Sequence, residues 1–306
     1  MTPIRKIQDD HGIVGRGREL AMALAVLGAG RHLLLEGPVG VGKTTVALAV
    51  CAHFGRETVR VDGDDRYSES KLTGWFDPPL VLERGYGADS FFAGPLVQAM
   101  RDGAVLFINE LNRMPESVQN VLLPALDERI VQVPHIGVVH AAEGFQVVAT
   151  QNPAEYVATG HLSEALRDRF EHLALAYQSA AEEAEIVIAE TASDDLSLVW
   201  TAVRLTRATR LHPRFRKGAS VRGAIATVAI AERLWAGRGD VCGAVDRATL
   251  RRAATAALTT RVDLRDDIDA EMGVALDELF ELVVDRGEDP DVALAPPRPE
   301  GMRPKA

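Results

Sequence analysis

Between about residues 30 and 177, short apolar runs alternate with stretches of helical periodicity. The runs are His32-Leu33-Leu34-Leu35, Thr58-Val59-Arg60-Val61, Ala104 to Ile108, Gln146 to Thr150 and Leu173 to Ala176. Near-continuous apolar runs predict strands buried on both faces, and their alternation with helices predicts an α/β domain with a parallel sheet between two helical layers. After Tyr177 the strand pattern stops. Amphipathic helices are predicted over 180–192, 195–211, 220–236, 244–260 and 268–284, with Ser220 as the N-cap of the third. From Arg286 onward prolines and charges replace large apolar residues, which predicts a loose tail. The expected organisation is a sheet domain over 1–178, a small all-helical domain over 179–285 and a disordered tail over 286–306.

Two glycine-containing interruptions in the sheet domain read as hairpins. Leu80–Arg84 and Ser90–Ala93 flank Gly85-Tyr86-Gly87, and Arg129–Val133 and Val138–Ala142 flank Pro134-His135-Ile136-Gly137.

Charge and cysteine usage narrow the function classes. The 34 Lys+Arg against 44 Asp+Glu give a net charge of -10, which ranks nucleic acid low among partners. Cys51 and Cys242 are far apart and lack zinc-ligand spacing, so neither a disulfide scaffold nor a zinc finger is expected, and a cytoplasmic setting suits the chain. Met1–Asp10 has no apolar signal-peptide core. The best apolar stretch, Leu20 to Leu35, is interrupted by Gly28, Gly30, Arg31 and His32, so no membrane span is expected.

The strongest chemical signal is Gly37-Pro38-Val39-Gly40-Val41-Gly42-Lys43-Thr44, which fits G-x-x-x-x-G-K-[ST] between a strand run and a helical run. Glycines there let backbone amides curl round phosphate oxygens, and the helix N-terminus adds partial positive charge. Lys43 is expected to reach the β- and γ-phosphates and Thr44 to hold magnesium, with Thr45 next in the same turn. Val105-Leu106-Phe107-Ile108-Asn109-Glu110 is an apolar strand ending in a polar pair, the place of a Walker B. Glu110 suits a base that orients the attacking water. Asn109 stands where an Asp is usual. Its amide oxygen can accept from a magnesium-bound water but adds no negative charge, so weaker magnesium binding is expected.

Over about residues 11 to 260 the chain resembles the AAA+ ATPases of the MoxR branch, with ATP and magnesium as implied cofactors. Ile13-Val14-Gly15 resembles the adenine-side box, Glu36 to Thr44 the Walker A, Phe107 to Arg113 the Walker B stretch, and Ala149-Thr150-Gln151-Asn152-Pro153 the sensor-1 signature. The resemblance implies that Asn152 positions the attacking water. It also implies that Arg169, in Asp168-Arg169-Phe170, is an arginine finger acting on a neighbouring subunit, with Arg167 in reserve, and that Arg222 is the sensor-2 contact from the lid. The first hairpin would be the helix-2 insert. Its tip residue Tyr86 either touches a client in the ring's centre or packs on its own hairpin. The second would be the pre-sensor-1 insert.

His135 and His140 lack companion ligands and read as loop and strand histidines. Arg204, Arg207, Arg210, Arg214, Arg216 and Lys217 read as a subunit-contact or solvated face. The resemblance implies a homo-oligomeric, hexameric ring that remodels or matures a client metalloenzyme or protein complex, with a von Willebrand factor A domain protein as partner. The rival readings are a DNA-associated motor and a slow-turnover nucleotide-sensing scaffold.

Overall fold

The computed structural model describes residues 2–153, 162–237, 244–266 and 271–294. The chain forms two compact units, Met1–Ala176 and Tyr177–Ala306.

The first unit opens with α1 (Pro3–His11) and α2 (Gly17–Gly28), followed by β1 (His32–Glu36), α3 (Lys43–His53) and β2 (Thr58–Asp62). Next come α4 (Glu69–Thr73), β3 (Gly74–Phe76), α5 (Pro78–Arg84), β4 (Phe91–Ala93), α6 (Pro95–Asp102) and β5 (Val105–Asn109). It closes with α7 (Glu116–Asn120), α8 (Leu122–Asp127), β6 (Ile130–Val133), β7 (Gly137–His140), β8 (Gln146–Gln151), α9 (Glu164–Arg167) and β9 (Phe170–Ala174). Five strands make a sheet of order β2-β5-β8-β1-β9, every pair parallel. Leu33, Leu35, Leu106, Phe107, Ile108, Val147 and Val148 are fully buried on it, as double-sided helical cover requires. The register sets Asp62 opposite Asn109 and Glu36 opposite Gln151, so the carboxyl ends finish level. In open parallel sheets this edge is where ligands bind. The last strand begins three residues earlier than the sequence pattern suggests, because buried Phe170 pairs with His32 at the start of β1.

The first expected hairpin is not formed as read. Residues 80–84 lie in helix α5, and the paired strands are β3 and β4, with Trp75 opposite Phe92. Pro78 and Pro79 pre-set the first turn, Asp77 caps it by accepting from Leu80 N at 3.1 Å, and Gly85 ends it at φ 78°. The apolar triplet Leu80-Val81-Leu82 imitates a strand, yet Leu82 is 90% exposed. The second hairpin forms between β6 and β7, with His135 at φ 62° and Gly137 at φ 97° in its turn.

The second unit comprises α10 (Ala180–Thr191), α11 (Leu196–Leu211), β10 (Phe215–Lys217), α12 (Val221–Ala236), α13 (Arg247–Leu258), β11 (Asp263–Leu264), α14 (Met272–Phe280) and α15 (Pro290–Ala293). The small hairpin β10–β11 corrects the all-helical expectation; strands of three and two residues carry too little pattern to be read. Ser220 occupies the N-cap of α12 without a side-chain capping bond. The core joins Val199, Ala202 and Val203 of α11 with Ala224 and Val228 of α12 and Ala253 of α13.

The arginines read as a subunit-contact or solvated face are mostly ion-paired. Glu183, itself buried, meets Arg210 at 2.7 Å and Arg207 at 3.4 Å; Arg214 holds Glu278 at 2.6 Å, and Arg216 holds Asp266 at 3.1 Å. Arg207 also takes Asp291 at 2.7 Å, while Pro290 is buried. The start of the expected loose tail, 286–294, is therefore ordered on this unit, and 295–306 lie outside the described residues. Among the described residues no helix is long and apolar enough to cross a membrane.

Candidate functional site

The loop after β1 is shaped by its glycines. A Cβ on Gly37 would sit 2.2 Å from the carbonyl oxygen of Leu175, and Gly40 and Gly42 take φ of 76° and 88°, where a side chain is strained. The last of these turns the chain directly into α3, whose first residue is Lys43. The helix N-terminus and the curled amides make an anion cradle. Lys43 Nζ reaches back over the loop, donating to Gly37 O at 2.6 Å and Pro38 O at 2.8 Å. Pro38 and Val39 are half-buried, Val41 is buried and Thr45 is exposed in the first turn of α3.

Ile13 and Val14 follow α1, half-buried. Beside them Arg16 is buried at φ 61° and donates through Nη2 to Val41 O at 3.0 Å and Ala176 O at 2.7 Å. Arg16 thus ties the segment expected at the adenine to the loop expected at the phosphates. Nothing in its local pattern marks it.

The facing wall comes from three strand ends. Asn109 Oδ1 accepts from Thr44 Oγ1 at 3.1 Å and from Thr150 Oγ1 at 3.0 Å, while its Nδ2 donates to Asp62 Oδ1 at 3.0 Å. Arg60 forks onto the same carboxylate from two residues away, at 3.2 and 2.8 Å. Hydrogen bonding first from Arg60 and then from Asn109 holds the Asp62 carboxyl below the usual range. Glu110 stands at φ 57°, a strained position for a residue with a side chain; its N–H donates to Thr150 Oγ1 at 2.9 Å and its carboxylate accepts from Arg113 at 2.8 Å. Gly63 N donates to Asn109 O at 2.7 Å, and a Cβ on Gly63 would meet Glu110 O at 2.2 Å. Thr44 Oγ1 and Asn109 Oδ1 are neutral oxygens of the hard type that suits magnesium, and both can address its water shell. The residues present therefore fit that ion.

Asn152 is buried just past β8, and its backbone oxygen accepts from Asn112 Nδ2 at 3.5 Å. Arg169 is drawn onto Asp127 at the end of α8, Nε to Oδ2 at 2.7 Å, whereas Arg167 is exposed. Arg222 lies in the first turn of α12, in the second unit. Tyr86 is 60% exposed, stacks on His135 of the other insert at 4.4 Å between ring centres, and meets Phe76 edge-on at 5.1 Å. It packs across two inserts rather than on its own hairpin alone.

Lys43, Thr44, Asn109 and Glu110 are thus gathered within one unit, together with Asp62, Gly63, Arg113 and Thr150, which sequence reasoning left without roles. The available signal was position: Asp62-Gly63 ends an apolar run, and Thr150 precedes the expected sensor 1 by two residues.

The family model of the AAA domain, dynein-related subfamily, matches residues 32–170. Protein NorQ of Paracoccus denitrificans is 32% identical over 181 residues, covering 58% of this chain and 65% of that protein. Gas vesicle ATPase GvpN of Haloferax mediterranei is 30% identical over 200 residues, covering 60% of this chain and 58% of that one. The chain therefore spans less than two thirds of the length of these curated relatives. Among solved structures, the Holliday junction branch migration motor RuvB of Thermotoga maritima superposes with a TM-score of 0.53 at 18% identity, over 79% of this chain and 70% of that one, which is a likeness of fold.

Proposed function

We propose that the chain, whose residues 32–170 match the AAA domain of the dynein-related subfamily, is a MoxR-type AAA+ protein that binds MgATP and hydrolyses it to ADP and phosphate to remodel a client protein. The carrying observation is the hydrogen-bonded link from the P-loop to the Walker B position, Thr44 Oγ1 to Asn109 Oδ1, with Glu110 next in the chain. In this reading the loop amides and Lys43 bind the phosphates, Ile13 and Val14 flank the adenine, and Arg222 senses the nucleotide from the lid. Thr44 and Asn109 would hold magnesium through its water, and that ion, when bound, would supply positive charge against the phosphoryl oxygens. Glu110 takes the proton of the attacking water, which Asn152 orients. Arg169 of a neighbouring copy completes the site, so the active form is a homo-oligomeric ring, drawn as a hexamer in the cytoplasm.

Client remodelling is supported by exposed aromatics on the first insert, where Trp75 and Phe92 stack at 6.0 Å beside the half-exposed Tyr86. The client proposed is a metalloenzyme or protein complex, selected by a von Willebrand factor A domain partner. One observation favours the slow-turnover scaffold: Arg113 holds the carboxylate of Glu110, beside a Walker B position without charge.

Phosphate release at saturating magnesium tests the reading. The parent should turn over, and Glu110→Gln should bind ATP and release phosphate at least about a hundredfold more slowly. Arg169→Ala should also be slow, and mixing it with Glu110→Gln should restore activity through interfaces that pair the intact residues. A parent that binds ATP without turnover is the scaffold. An effect of Arg167→Ala without one of Arg169→Ala moves the finger two residues.

A further inference from the structure

An asparagine in the Walker B position brings a difficulty that an aspartate does not. A carboxylate offers an oxygen whichever way it is turned, but an amide has one accepting end and one donating end. If Nδ2 faced Thr44, two N–H hydrogens would point where the water shell of a divalent cation needs an acceptor. The orientation of Asn109 is therefore a functional variable, and its partners decide it.

Among the described residues, three side chains hydrogen-bond to that amide: Thr44, Thr150 and Asp62. A threonine hydroxyl both donates and accepts, so either threonine could satisfy either end. An ionised carboxylate only accepts. Asp62 is consequently the one partner of the three that distinguishes the two orientations, and it receives Nδ2 at 3.0 Å. Its own position is over-determined. Asp62 faces Asn109 across the β2–β5 register, Arg60 grips it with two donors, and the Arg60 guanidinium stands 5.9 Å from the centre of the Phe107 ring.

We propose that Asp62 is a positioning residue of the magnesium site, whose carboxylate captures Asn109 Nδ2 and thereby aims Oδ1 at Thr44. The inference rests on the MgATP reading above. It also changes what Asn109→Asp should do. A second carboxylate at 109 would face Asp62 at hydrogen-bond distance with no proton between them, so the single replacement gains little, although the sequence alone suggests tighter magnesium binding. Asn109 and Asp62 work as a pair.

The test measures binding of a fluorescent ATP analogue to the full chain, first in EDTA and then across a magnesium titration, with manganese binding followed by electron paramagnetic resonance. Asp62→Ala should bind nucleotide in EDTA as the parent does and require about tenfold more magnesium for half-saturation, since one orienting hydrogen bond is lost. Asp62→Asn, which keeps an accepting oxygen beside Arg60, should shift less. Asp62→Ala with Asn109→Asp should return to within about threefold of the parent, because a carboxylate at 109 needs no orientation. A purely structural role for Asp62 would not yield that rescue. Equal magnesium curves for the parent and Asp62→Ala, or a double variant no better than Asp62→Ala, would overturn the inference and leave the MgATP reading standing. A parent whose nucleotide binding ignores magnesium would overturn both.

Discussion

Eight consecutive residues, Gly37 to Thr44, make one wall of the site, whereas the facing wall takes one or two residues each from the ends of β2, β5 and β8. The first wall works mainly through backbone. Its glycines set the curl, and one side chain, Lys43, supplies the full positive charge. The second works through side chains brought from 41 to 47 residues apart and joined atom to atom at about hydrogen-bond length. A backbone wall should tolerate many side-chain changes and fail at its cation. A side-chain wall should respond to small changes at each of its members, including residues that never touch nucleotide.

The largest effect should come from the one charged side chain of the first wall. Lys43→Ala removes the charge-assisted bonds to phosphate, each worth about 1.5–3 kcal/mol, and should weaken ATP binding about a hundredfold or more. Isothermal titration of both proteins checks it. Binding within a few-fold of the parent would mean that the loop amides suffice and that the contrast between the walls is false.

The second wall is most exposed at Gly63. An added methyl would lie 2.2 Å from the backbone oxygen of Glu110, against a chain already at φ 57°. Neither backbone can yield without shifting the strand end, so Gly63→Ala should cost about 1–3 kcal/mol, as overpacking does, and displace Glu110. The expected outcome is an unfolding temperature lowered by several degrees together with a larger proportional loss of turnover than of nucleotide binding. A variant with unchanged turnover would show that the position of Glu110 is not held from β2.

How much of each wall could be read in the sequence follows from the same contrast. Gly37–Thr44 announces itself because all its determinants are local, and the sheet strands do so because burial on both faces leaves unbroken apolar runs. Asp62 and Thr150 became site residues only through register, which joins positions that no local pattern relates. The first insert misled for a different reason: Leu80-Val81-Leu82 has strand-like composition, but Pro78, Pro79 and the Asp77 cap nucleate a helix first. At the start of the tail, composition does not report a specific clasp such as Arg207 on Asp291.

The smallest effect should come from the far end of β1, where the strand that delivers the P-loop begins with a buried polar residue. His32 accepts from Val147 N at Nδ1, at 2.9 Å, and sits edge-on to Phe145 and Phe170. Burial pushes its pKa from the ordinary 6.5 down to about 4, against the raising effect of the Leu126 carbonyl. Between those values the unfolded chain holds more protons than the folded one, so stability is complete above about pH 6.5 and declines as pH falls toward 4. The loss attributable to this group should be about 2 kcal/mol between pH 7 and pH 5. His32→Gln keeps an acceptor for Val147 but cannot be protonated in this range. It should therefore unfold at a temperature that changes less between pH 7 and pH 5 than the parent's, by about 4–8 °C. Nucleotide affinity at pH 7 should be the same in both proteins, since His32 lies at the opposite end of the strand from Gly37. Parallel pH dependences would show that the imidazole is protonated in place, and a loss of affinity at pH 7 would show that the backbone wall draws its geometry from the whole strand.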